Sequence, residues 1–126
     1  MQVGWQVNSG GRLSSCVGEE SPCRRAYQLY VGEGEPHHAR ASTPGEARPS
    51  WDPLTALVAV RGPEGAGCRE EGSGGTNTVG EEGGNTWEER EGSNMSFLVL
   101  EEEPWVVGEA IDDLLCQPTQ SYQMQI

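Results

Sequence analysis

Asp52 stands where a carboxylate could do chemistry. It lies in Ser50-Trp51-Asp52-Pro53-Leu54-Thr55, at the mouth of the longest mostly apolar run in the chain. There a carboxylate can accept hydrogen bonds from the first turn of a helix, or face a ligand or cation. Taken alone it reads as a helix cap. Other groups invite sharper chemistry and lack its context. His37 and His38 have the right side chains for a general base or a metal ligand, but a Pro-containing stretch with nothing to orient them reads as a solvated loop. Gly72-Ser73-Gly74-Gly75-Thr76-Asn77 suggests a phosphate loop, yet no Gly-Lys-Ser/Thr follows, and a flexible hairpin is the simpler reading. The acidic groups Glu19-Glu20, Glu70-Glu71, Glu81-Glu82, Glu101-Glu102-Glu103 and Asp112-Asp113 lack calcium-loop spacing and read as a solubilising surface. Cys16, Cys23, Cys68 and Cys116 form no CxxC pair and have no histidine at zinc-ligand spacing. Reduced thiols are the first expectation, with two disulfides as the alternative in a secreted chain. Asn94-Met95-Ser96 matches a glycosylation acceptor, a short pattern that chance produces often.

Composition narrows the partners. Twenty acidic against eight basic residues give a net charge of −12, and the basic residues are scattered apart from Arg24-Arg25. That pattern excludes the electrostatic footprint of a nucleic-acid or anionic-membrane binder. No basic and apolar leader opens the chain and no stretch of about 18 apolar residues occurs, so the expectation is a soluble protein, cytoplasmic in preference to secreted. With 34% apolar residues and 18 glycines among 126, the core should be thin, and the chain reads as an incomplete domain.

The elements that must hold Asp52 follow from spacing. Asp52 as cap, Pro53 at the first helical position and Gly62-Pro63 as terminator frame a helix whose Leu54, Leu57, Val58 and Val60 leave almost no polar face, so it should be buried. Ser21 and Pro22 open an amphipathic helix with Cys23, Ala26, Tyr27, Tyr30 and Val31 inward and Arg24, Arg25 and Gln28 outward, ended by Gly32-Glu33-Gly34. A long loop over 32–49 joins the two. Val3 to Val7 reads as a short strand, and Leu13 to Val17 as a second short segment. Thr76 to Val79 and Asn85 to Trp87 flank the loop 80–84, with Ser96 to Leu100 as the best-formed strand of a two- or three-stranded hairpin. A helix from about Trp105 to Cys116 carries Val107, Ala110, Ile111, Leu114 and Leu115 on one stripe, with Glu109, Asp112 and Asp113 on the wet face. The tail after Pro118, residues 119–126, has no pattern.

Five blocks, in order, carry a resemblance. Ser21-Pro22-Cys23-Arg24-Arg25-Ala26-Tyr27, Arg48-Pro49-Ser50-Trp51-Asp52-Pro53-Leu54-Thr55, Ala59-Val60-Arg61-Gly62, Gly84-Asn85-Thr86-Trp87 and Ala110-Ile111-Asp112-Asp113-Leu114-Leu115 resemble the C-terminal third of the inosine/uridine-preferring nucleoside hydrolases. The similarity runs from about Trp5 to Pro118, which places the domain portion at residues 1–118. It implies an α/β fold, here a C-terminal fragment of an open sheet with two to three helices and a β-hairpin, and hydrolysis of the N-ribosidic bond of a nucleoside substrate by calcium-activated water. By that resemblance Asp52 is a ligand of the Ca2+ ion. Trp51 stands where the commonest members carry a histidine that acts as leaving-group acid; an indole has no such proton to give, so Trp51 is expected to stack on the base. No catalytic residue is implied within these 126 positions, because the family's N-terminal aspartate cluster has no counterpart in them. A non-catalytic remnant or interaction module is therefore the alternative expectation, and self-association into a homo-oligomer is expected of a chain without its central sheet.

Overall fold

The computed structural model describes residues 3–32 and 47–117. His37, His38, most of the long loop and the tail 119–126 lie outside the described residues. Those described form five helices and two antiparallel sheets, a mixed α/β arrangement. In chain order they are α1 (Val3–Gln6), β1 (Asn8–Ser9), α2 (Leu13–Cys16), α3 (Pro22–Gly32), β2 (Arg48–Pro49), α4 (Trp51–Gly65), β3 (Cys68–Val79), β4 (Asn85–Glu89), β5 (Met95–Leu100) and α5 (Pro104–Leu115).

The helices follow their sequence signals with three corrections. Val3 to Gln6, expected as strand, is a helical turn, and strand pairing begins only at Asn8–Ser9, opposite Arg48–Pro49. A segment this short has little preference of its own, so the hydrogen bonds available decide. The Ser50 N–H donates to the carbonyls of both Gly4 (3.0 Å) and Val7 (2.9 Å), which fixes α1 against the start of α4. The second correction is the cap of α4. Ser50, not Asp52, is the N-cap residue, and Asp52 lies within the first turn. The third is the end of that helix: the chain breaks at Gly62, with φ 76° where other residues strain, but one more helical turn follows over Pro63–Gly65. In α3, Ser21 caps as expected, accepting from the Arg24 N–H at 3.4 Å.

The core is small and lies between α4, α5 and one face of the larger sheet. Val7, Leu54, Leu57, Ala66, Cys68, Val107 and Ile111 are buried together, with Val58, Leu98, Leu100 and Leu115 packed around them. Burial on α4 is one-sided. Leu54 and Leu57 face the core, whereas Val60 is 84% exposed, so the expectation of a helix buried all round fails: the described elements cover one face of it.

The larger sheet has the order β4-β3-β5. Its hairpin turns at 80–84 as expected, with the Gly80 N–H donating to the Gly84 carbonyl at 2.8 Å. Its central strand is much longer than expected, because the glycine-rich stretch read as flexible is part of β3. The strand pairs with β5 from Cys68 to Glu71, is irregular between Glu71 and Gly75, and pairs with β4 from Gly75 to Val79. The Trp87 ring lies where a side chain on Gly75 would be, and it meets Phe97 edge-on at 5.2 Å between centroids. Absent side chains on the centre strand thus make room for aromatic side chains from its neighbours.

A disulfide joins Cys16, at the end of α2, to Cys116, just past α5. This corrects the expectation of four reduced thiols for one pair; Cys23 and Cys68 remain thiols. Burial pushes the Cys68 thiol above its ordinary pKa, and the Glu101 carboxylate adds to the shift.

Candidate functional site

Ser50 is the residue that sets the geometry around Trp51 and Asp52. It is fully buried, and its hydroxyl lies 2.6 Å from Ser9 Oγ and 3.1 Å from the Arg48 carbonyl. Ser9 Oγ in turn is 3.0 Å from the Tyr27 hydroxyl. Three hydroxyls from β1, α3 and the start of α4 thereby satisfy one another inside the protein, as buried polar groups must. Arg48 lies over the Tyr27 ring at 5.9 Å, closing the outer side of this knot.

From this anchor the chain turns outward. Trp51 is 36% exposed and packs against Trp5, 64% exposed, with ring centroids 5.6 Å apart and planes tilted by 47°. Gly4 permits the approach, since a Cβ there would lie 2.7 Å from the Trp51 Cα. The next residue, Asp52, is exposed at the positive end of α4. The surface so formed is two partly open indoles followed by a carboxylate. It can stack a planar ring and offer an anionic oxygen ligand beside it.

Trp51 and Asp52, named from sequence, are therefore neighbours on an open surface. Trp5 was missed, because the strand assigned to Val3–Val7 gave no reason to bring it to residue 51. The tryptophan itself, in a segment read as a strand, was the only signal. Among the described residues no group of three or more His, Cys, Asp or Glu side chains is placed to hold a metal ion. Calcium takes about six to eight oxygen ligands, so the described residues do not fit a complete calcium site, and no chemical step is derived through one.

Asp112 departs furthest from expectation. Assigned to the wet face of α5, it is buried, and its two carboxylate oxygens accept the backbone N–H groups of Gly10 (2.5 Å) and Arg12 (3.2 Å). Its neighbour Asp113 stays exposed and pairs with the Arg12 guanidinium at 2.6 Å. Arg24 also departs from expectation: assigned outward, its side chain is 17% exposed and Nη1 donates to the Val17 carbonyl at 2.9 Å. A cleft of about 450 Å³ beside Asp112, lined also by Arg12, Trp105 and Glu109, includes neither Trp51 nor Asp52. No helix among the described residues is long and apolar enough to cross a membrane. Comparison with protein-family models, with curated proteins and with solved structures finds no match for this chain.

Proposed function

We propose that the chain is a C-terminal portion of an inosine/uridine-preferring nucleoside hydrolase, and that Trp51, with Trp5, stacks on the base of a nucleoside. In a complete enzyme Asp52 would supply one oxygen ligand to a Ca2+ ion. The observation that carries this reading is the exposed indole pair followed at once by an exposed carboxylate. Stacking is worth about 1–3 kcal/mol per base, so these residues alone would hold a nucleoside weakly, at millimolar concentration or above. The ordered sequence blocks add support, since the Ser-Trp-Asp-Pro step falls at a helix start.

A second reading, a non-catalytic interaction module of the same family, draws on the outer face of α4, where Val60 is almost fully exposed. Titration of uridine or inosine into the isotope-labelled chain, followed through the four indole N–H resonances, separates the two. Saturable shifts at Trp5 and Trp51, lost in Trp51→Ala and small at Trp87 and Trp105, are expected. Unchanged Trp5 and Trp51 signals at tens of millimolar nucleoside would sink the stacking role and favour the interaction module.

A further inference from the structure

Three of the four cysteines line one cleft. Cys16 and Cys116, joined to each other, and the half-buried thiol of Cys23 border a cavity of about 440 Å³ between the end of α2, the first turn of α3 and the end of α5. Cys23 is the second residue of the eleven-residue α3 and stands seven residues from Cys16 in the chain. Arg24 brings its guanidinium to the Val17 carbonyl on the same wall, and its Nε has no hydrogen-bond partner among the described residues. Glu20 also lines the cleft, and Glu19 stands 3.8 Å from the Arg24 guanidinium. Cys68 is of another kind, fully buried in the core and far along the chain from this cleft.

We propose that this cleft is a thiol–disulfide exchange site in which Cys23 attacks Cys16. The Cys23 thiol gives its proton to solvent, and its sulfur forms a bond to Cys16 Sγ as the Cys16–Cys116 bond breaks. The electron pair leaves on Cys116, which takes a proton from solvent, so no oxidant or reductant is consumed. Cys16 is the sulfur attacked because it is seven residues from Cys23 on an adjacent helix, which makes the new ring short and local. The crosslink then moves from one that ties the end of α5 to α2 to one that joins α2 to α3. The last turn of α5 is left to its noncovalent contacts, and a thiol is uncovered at Cys116.

Peptide mapping of the full chain tests this directly. Protein purified without reductant is held at pH 8.5 in the absence of denaturant, quenched with acid and N-ethylmaleimide, and cleaved after glutamate, which separates the Cys16 and Cys23 peptides at Glu19 or Glu20. The expected result is growth of a Cys16–Cys23 linkage with alkylated Cys116, at a rate independent of protein concentration, with Cys68 unlabelled until denaturant is added. Cys23→Ser should keep the Cys16–Cys116 linkage throughout, with an unchanged circular dichroism spectrum. Persistence of Cys16–Cys116 as the sole linkage in the parent chain would overturn the proposal. So would a Cys23–Cys116 product, disulfide-linked dimers, or exchange that also involves Cys68.

Discussion

Two aspartates of this chain show how far the same side chain can differ in worth. Asp112 is buried and holds two backbone N–H groups of the segment after β1, so its loss orphans the buried Gly10 donor and leaves the Arg12 donor to the neighbouring cleft. Asp112→Ala is expected to cost about 2–4 kcal/mol, the upper end reflecting an ionised acceptor, and Asp112→Asn somewhat less because one oxygen remains. Asp52 is exposed in the first turn of α4, and Asp52→Asn should cost no more than about 1 kcal/mol through the lost helix-dipole attraction. Urea unfolding of the three variants measures the difference directly. Equal midpoints for Asp112→Ala and Asp52→Asn would mean that the buried carboxylate carries no latch.

At the scale of elements, α5 owes its position to a glycine. Gly108 is buried with the Asn8 carbonyl oxygen against the space its side chain would occupy, so β1 and α5 touch backbone to backbone. Alanine is the better helix former by about 1 kcal/mol, yet Gly108→Ala should destabilise by about 1–3 kcal/mol, because the added methyl must push α5 off β1. Gly84, in the exposed hairpin turn with nothing within reach of a Cβ, is the comparison, and Gly84→Ala should be near neutral. Thermal melts of both decide the matter; a Gly108→Ala protein as stable as the parent would show that α5 can shift at no cost. The same element also bears on the redox chemistry of the cleft, since contacts at Gly108 and Asp112 must hold α5 once its disulfide is exchanged.

The whole molecule combines a thin core with one long covalent tie. Eight apolar residues are buried among those described, while the Cys16–Cys116 bond spans 100 residues of sequence. A crosslink over that separation removes denatured-chain entropy worth up to about 4.7 kcal/mol, and measured losses usually run about 2–5 kcal/mol. The double variant Cys16→Ser, Cys116→Ser should therefore unfold at a much lower urea concentration. A change of midpoint worth under about 1 kcal/mol would mean that the noncovalent contacts alone define the arrangement. The double variant also removes the acceptor for Cys23, which keeps the stability measurement free of exchange.

Local chemistry made part of this fold legible in the sequence. Ser21-Pro22 starts α3, Gly62 breaks α4, the loop at 80–84 turns the hairpin and the 3.6-residue stripe of Val107 and Ile111 aims α5 at the core, all through forces acting within a few residues. What only the tertiary structure decided depends on partners distant in the chain. Val3–Gln6 became helical where the Ser50 N–H could donate to the Gly4 carbonyl, and the glycines of β3 became strand where Trp87 and Phe97 could cover them. Trp5 joined Trp51 in the candidate site across 46 residues that no local pattern spans. Asp112, polar on a helix stripe, was buried because the segment after β1 supplies two N–H donors, from Gly10 and Arg12, about a hundred residues away. The cysteine pairing had the same origin: composition gives the number of thiols, but only the approach of α2 to the end of α5 selects which two are joined.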